Sequence, residues 1–248
     1  MATLGLIGSG NIGGTLARLA VHAGLDVVLS NSRAPETLSD LVNELGPQAR
    51  AGTPAQAAAA GDWVVVTIPV GAIGTVPQEP LAGKMVIDTG NYFAPRDGTI
   101  PELETQELTD TELLQRHLAG AHVVKAFNNI HYPHLSALPR PVDATDRTAL
   151  PIAGNDPVAK KQAAELLSLL GYDSVDMGPL SESWRSQVGT PVFCAPYAVT
   201  KDDQYRTQPA APASAAEVRA ALASAQVLSR ERLPASAVGQ PAPDGGAK

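Results

Sequence analysis

Three glycines in Gly8-Ser9-Gly10-Asn11-Ile12-Gly13 stand at GxGxxG spacing. A short apolar run, Thr3–Ile7, precedes them. After them Ile12, Leu16, Leu19, Ala20 and Ala23 recur at helical intervals up to Gly24. Strand before and helix after is the context in which this spacing has chemical meaning. Gly8 permits the tight turn, Gly10 lets a diphosphate approach the backbone, and Gly13 lets helix and strand pack closely. The N–H groups at the helix start and the helix dipole favour an anion at Gly10–Ile12. An ordinary glycine-rich strand–helix turn explains one such glycine easily and three poorly. The chemistry implied is dinucleotide binding.

The end of the second strand, Asp26–Asn31, selects the dinucleotide. An acidic residue here would bind the ribose 2′-hydroxyl of NAD. The chain instead reads Ser30-Asn31-Ser32-Arg33, with no carboxylate to repel a 2′-phosphate. Arg33 can pair with that phosphate, and Asn31 and Ser32 can donate to it, so NADP is expected. The plainer reading of Arg33 is a solvated loop residue. The fourth strand, Asp62–Ile68, is continuously apolar, and Pro69 stops it. Thr67, Ile68 and Pro69 should therefore line the cofactor cleft at the carboxyl ends of the strands. The sixth strand, His122–Phe127, brings Ala126 and then Asn128-Asn129-Ile130 to the mouth of the same cleft. Asn128 and Asn129 there can orient a nicotinamide, or can equally close the strand as an Asx turn. His131 and His134 lack a third ligand nearby and read as surface residues, so no metal is expected.

The rest of the chain must hold these groups. Its 248 residues suffice for one or two domains, and its net charge of −7 argues against nucleic acid or an anionic membrane as partner. Cys194 is the single cysteine, so no internal disulfide forms; a cytoplasmic home and a buried, unreactive thiol are expected. The first strand begins at once with no basic leader, so no signal peptide is expected. Trp63–Val76 is too short and too interrupted to span a bilayer. Helices are expected over Pro35–Leu45, Pro54–Ala60 and Thr111–Leu118, and strands over Ala49–Ala51 and Lys84–Asp88, with a loop over Tyr92–Asp110. The pattern predicts an α/β fold: an N-terminal Rossmann-type, doubly wound parallel sheet over residues 1–138, then a Pro-rich linker. A small C-terminal α+β unit follows over 148–205, with a strand at Ala149–Ala153, a helix at Asp156–Leu170, a strand at Tyr172–Asp176 and a helix from Glu182. Residues 206–248 form an Ala/Pro-rich tail in which Glu217–Arg232 can be helical and the end from Leu233 reads as disordered.

The pieces GLIGSGNIGGTLA, SNSR, VVVTIP, VIDTGN, VVKAFNNI, LPIAGND and YDSVDMGPLSES together resemble one family, the coenzyme F420-dependent NADP oxidoreductases. They spread over about residues 3–185. The set is also similar to the reductase domains of membrane metalloreductases, which share a VVKAFN-like sequence. The resemblance implies hydride transfer between NADP(H) and a deazaflavin, coenzyme F420. It implies that Ser32 and Arg33 hold the 2′-phosphate and that Asn128–Ile130 lie against the nicotinamide. Some members carry histidine at the position of Asn128, and beyond Pro191 the resemblance stops.

Direct hydride transfer needs no catalytic acid or nucleophile, only positioning, which Asn128 and Asn129 would supply. On this reading the acceptor stacks on the open nicotinamide face, with Ile130, Trp184 and Val188 as apolar walls and Arg185 as the positive group for its acidic tail. Lys125 and Arg140 are further candidates for the tail. Trp184 packing in a subunit interface is the plainer alternative. The marginal size of the second unit predicts a homodimer, as does the resemblance. Two rivals remain at this point. One is an NADPH-dependent reductase of another small acceptor (a flavin, an imine or a metal chelate); the other is a non-catalytic NADP-sensing protein.

Overall fold

The computed structural model describes residues 1–226. Eight strands form one sheet: β1 (Thr3–Ile7), β2 (Asp26–Ser30), β3 (Ala49–Ala51), β4 (Trp63–Val66), β5 (Met85–Asp88), β6 (His122–Lys125), β7 (Ala149–Gly154) and β8 (Asp173–Asp176). Their spatial order is β3-β2-β1-β4-β5-β6-β7-β8. β3 to β6 run parallel, so the carboxyl ends of six strands share one edge of the sheet. The central strands are apolar on both faces because helices cover both. In β4, for example, Val65 joins one core layer while Val64 and Val66 join the other.

The helices are α1 (Asn11–His22), α2 (Ser39–Leu45), α3 (Pro54–Ala60), α4 (Ala94–Asp97), α5 (Pro101–Glu104), α6 (Asp110–His117), α7 (Tyr132–Ala137), α8 (Pro157–Leu169) and α9 (Ala215–Ala223). α3 and α6 start on capping boxes, Thr53 with Gln56 and Thr109 with Glu112. Several expected elements differ. Pro35–Leu38 is a 3-10 turn that leads into α2, so the expected helix is tighter at its start. The expected loop 92–110 contains α4 and α5, each a single turn with proline near its start. Leu180–Ser186 is a 3-10 helix rather than an α-helix.

The sheet runs across the expected linker. β7 pairs antiparallel with β6 through Val124↔Gly154 and Lys125↔Ala153, and β8 pairs parallel with β7. One apolar layer joins Leu16 and Ala20 of α1 to Leu166 and Leu167 of α8 and Val218 of α9. Buried Tyr172 ties the two parts further, donating its hydroxyl to the Leu135 carbonyl. In the tail, α9 is capped by Ser214 and runs Ala215–Ala223, beginning two residues before the expected Glu217–Arg232, of which residues 227–232 lie outside the described residues. The disorder expected from Leu233 lies outside the described residues. Among the described residues no helix is long and apolar enough to cross a membrane.

Candidate functional site: a dinucleotide cleft at the strand ends

The turn from β1 to α1 is built as its glycines require. Gly8 has φ +110°, and a Cβ there would stand 2.3 Å from the Thr67 carbonyl oxygen. A Cβ on Gly13 would stand 2.2 Å from the Gly8 carbonyl oxygen. Both positions are closed to any side chain. Gly10 is the opposite case: a Cβ there would meet nothing within 4 Å. It is the N-cap of α1, and no side chain caps that helix start. The helix start is therefore open at Gly10 and uncapped, which is the chemistry an incoming diphosphate needs. Ser9, Asn11 and Ile12 lie on the same turn, Ser9 and Ile12 half-buried and Asn11 exposed.

Two neighbouring strand ends extend this cradle. Beyond β2, the Asn31 side-chain oxygen accepts the Arg33 N–H at 2.8 Å, and its amide donates to Thr37 at 2.9 Å. This fixes the turn while Ser32 and Arg33 stay exposed. The Arg33 guanidinium has no hydrogen-bond or ion-pair partner among the described residues. Beyond β4, the Thr67 N–H donates to the Ile7 carbonyl at 2.9 Å, placing Thr67, Ile68 and Pro69 beside the glycine turn. Thr67 and Ile68 are half-buried and Pro69 is exposed. The glycine turn, Ser32–Arg33 and Thr67–Pro69 are thus brought together.

The ends of β5 and β6 differ from the expectation. Ala126 is fully buried. Phe127 has φ +60°, an uncommon conformation for a bulky residue, and turns the chain abruptly after β6. The Asn128 amide donates to the Ser186 carbonyl at 2.9 Å and to the Asn91 side-chain oxygen at 3.2 Å; Asn91 donates back to the Asn128 carbonyl at 2.7 Å. Ser186 completes the set by donating to the Asn128 side-chain oxygen at 3.2 Å. Asn128 therefore locks the segment around Ser186 to the sheet end rather than pointing freely into the cleft. Asn129 is fully buried, with its amide on the Val192 carbonyl and the Tyr197 hydroxyl. The expectation that it orients a ring by direct contact is corrected: its amide is committed to the core. Ile130 is likewise buried in the apolar layer and is not an accessible wall.

Other expected roles change for the same reason. Lys125, a candidate for the acceptor's tail, is 1% exposed and faces Asp88 and Asp110. Arg140 pairs with Asp146. Arg185 pairs with Glu182 and lies over the Trp184 ring at 4.6 Å, so its charge is already partnered. Trp184 and Val188 are half-buried and remain available as walls. His131 is the N-cap of α7 and His134 lies within it; His134 is buried, not a surface residue, and donates its Nε2–H to the Gln208 carbonyl at 3.0 Å. Cys194 is buried, and burial pushes its thiol well above the usual range.

Sequence reasoning missed Asn91 and Arg96. Arg96 donates to the Asn91 carbonyl at 2.7 Å and forms a bidentate pair with Asp97. Burial pushes the Asp97 carboxyl up, but Arg96 and the N–H groups of Phe93 and Gly71 outweigh it and hold it below the usual range. The motif VIDTGN contained Asn91; no local pattern marked Arg96.

Residues 3–92, which carry the glycine turn, Arg33 and Asn91, match a sequence model described as NADP oxidoreductase, coenzyme F420-dependent. Over these residues the chain is similar to that family. A curated relative, the F420-dependent NADP reductase of Methanocaldococcus jannaschii, is 32% identical over 143 residues, 55% of this chain. The chain spans 62% of that relative's length. Among solved structures, a hypothetical protein of Sinorhizobium meliloti is 31% identical with a TM-score of 0.68, covering 77% of this chain and 93% of its own. A candidate F420-dependent NADP reductase from an Arthrobacter strain is 25% identical with a TM-score of 0.62, covering 74% of this chain and 87% of its own. A Mycobacterium tuberculosis 3-hydroxyisobutyrate dehydrogenase, 17% identical with a TM-score of 0.53, shares the fold.

Proposed function

We propose that the protein is an oxidoreductase that binds NADP(H) in this cleft and exchanges a hydride with coenzyme F420. The observation that carries the reading is the open, uncapped start of α1 at Gly10, with the Arg33 guanidinium, unpartnered among the described residues, at the neighbouring strand end. The first offers N–H groups and a dipole to a diphosphate, and the second offers a cation to a 2′-phosphate. The reading assigns Gly8–Gly13 to the diphosphate, Asn31–Arg33 to the 2′-phosphate and Thr67–Pro69 to the middle of the cofactor. The acceptor side falls to Trp184 and Val188, with Asn91 and Asn128 holding their segment in place.

When bound, NADPH supplies a hydride to a carbon of the deazaflavin, whose ring nitrogen takes a proton from solvent. The chain has to orient the two rings and exclude water, and it needs no acid of its own. A cytoplasmic homodimer, with residues 148–205 contributing the acceptor wall and the subunit contact, completes the proposal. The resemblance and the names of the relatives support F420 over a flavin, an imine or a metal chelate. Mixing the protein with NADPH and F420, or with NADPH and a flavin, and following NADPH absorbance tests this. Consumption with F420 alone is expected. Consumption with the flavin alone makes the protein a reductase of another acceptor, and tight NADPH binding without consumption makes it a sensor.

A further inference from the structure

Lys125 ends β6 with its ammonium fully buried, yet it has three acceptors. It donates to Asp88 Oδ2 at 3.0 Å, to the Gly90 carbonyl at 2.5 Å and to Asp110 Oδ1 at 2.9 Å. These use all three of its protons. They come from the end of β5, the turn that follows it and the first residue of α6. Thr111 donates to Asp88 Oδ2 at 2.7 Å, and the Gly90 N–H donates to Asp88 Oδ1 at 2.8 Å. The Tyr92 N–H donates to Asp110 Oδ2 at 3.2 Å. Residues 90 and 92 are therefore each held by this cluster, and Asn91 is the residue between them. Asn91 in turn exchanges hydrogen bonds with both the backbone and the side chain of Asn128.

We propose that Lys125 is a positioning residue for the nicotinamide end of the cofactor: through Gly90 and Asp110 it sets the Gly90–Tyr92 turn, and through Asn91 the strained Phe127–Asn128 corner. The proposal rests on the NADP reading above. A buried ion cluster is a poor way to gain stability, since apolar residues of similar volume often do as well or better. Its distinctive product is geometry, here the relative placement of two strand ends at the cleft. Burial opposes the charge on Lys125, but Asp110 and Asp88 outweigh it, so the ammonium is retained and the clamp persists at neutral pH.

The test compares NADPH with 2′-phospho-ADP-ribose, which lacks only the nicotinamide. In the triple variant Lys125→Met/Asp88→Asn/Asp110→Asn no buried charge is left unpaired. Its affinity for 2′-phospho-ADP-ribose should stay within about twofold, while the additional affinity for NADPH falls about tenfold. Equal losses for the two ligands, or none in a variant that melts cooperatively, overturn the proposal. In the unmodified protein, NADPH should slow hydrogen exchange at Gly90–Tyr92 and 2′-phospho-ADP-ribose should not. An identical response to both ligands overturns the proposal even if the variant fails to fold. Binding of neither ligand by the unmodified protein overturns the NADP reading itself, and the proposal with it.

Discussion

Gly10 and Gly13 are three residues apart and should respond oppositely to the same added methyl group. At Gly13 the new Cβ would stand 2.2 Å from the Gly8 carbonyl oxygen and 2.9 Å from Thr67 Cγ2. The first is backbone in a turn that cannot shift without moving β1 or α1. Overpacking costs about 1–3 kcal/mol, occasionally more; a clash with backbone belongs at the upper end, and about 3 kcal/mol in a chain of this size lowers the melting temperature by roughly 6–12 °C. At Gly10 the Cβ meets nothing, and φ −72°, ψ −159° suits alanine. The folded protein loses only the N-cap preference, about 1 kcal/mol or roughly 2–4 °C. The methyl does occupy the space a diphosphate must enter, and it forfeits charge-assisted bonds that contribute about 1.5–3 kcal/mol each. NADPH affinity should fall at least ten- to a hundredfold. Thermal melts and NADPH titrations of Gly10→Ala and Gly13→Ala make the comparison. A Gly10→Ala protein that binds NADPH within about twofold of the parent would refute the cradle. One that melts as low as Gly13→Ala would refute the claim that its surroundings are open.

Arg33→Ala should weaken NADPH binding by about ten- to a hundredfold and leave NADH nearly unchanged; equal losses for both cofactors count against the 2′-phosphate assignment. His131 is pushed down to about 4 by burial first, then by His134 and Arg206. An unfolded chain takes up a proton near pH 6.5 that the folded one refuses, so stability should fall as pH drops from about 6.5 to about 4. His131→Phe, which preserves a ring beside Tyr132 and Tyr205, should melt with a shallower dependence in that window; an unchanged slope assigns the effect elsewhere. Sedimentation at micromolar concentration should show a dimer, and a monomer would remove the proposed subunit contact.

The glycine turn and the strand end that carries Arg33 were legible because their sequence pattern is local. Spacing, flanking periodicity and one missing carboxylate are all read within thirty residues. Lys125 was misread because its partners lie 15, 35 and 37 positions away. In sequence it is one lysine in HVVKAFNN, and only strand pairing buries it. Asn129 was misread likewise: its partners Val192 and Tyr197 lie in a segment without a regular pattern. The single-turn helices α4 and α5 escaped because four residues carry no periodicity. The continuation of the sheet past residue 147 was invisible because β7 pairs antiparallel with β6, a choice no residue within either strand announces.

That antiparallel seam bears on how the protein can be dissected. Ending the chain near residue 140 would not release a self-contained cofactor-binding module. It would strip β7 from β6 and turn Val123–Lys125 into a bare sheet edge, with unpaired peptide groups flanked by apolar side chains. Such edges recruit other strands, and the fragment would associate or aggregate instead of staying in solution. A useful shortened form must keep the chain through β8, and must retain Tyr172 to bridge back to Leu135.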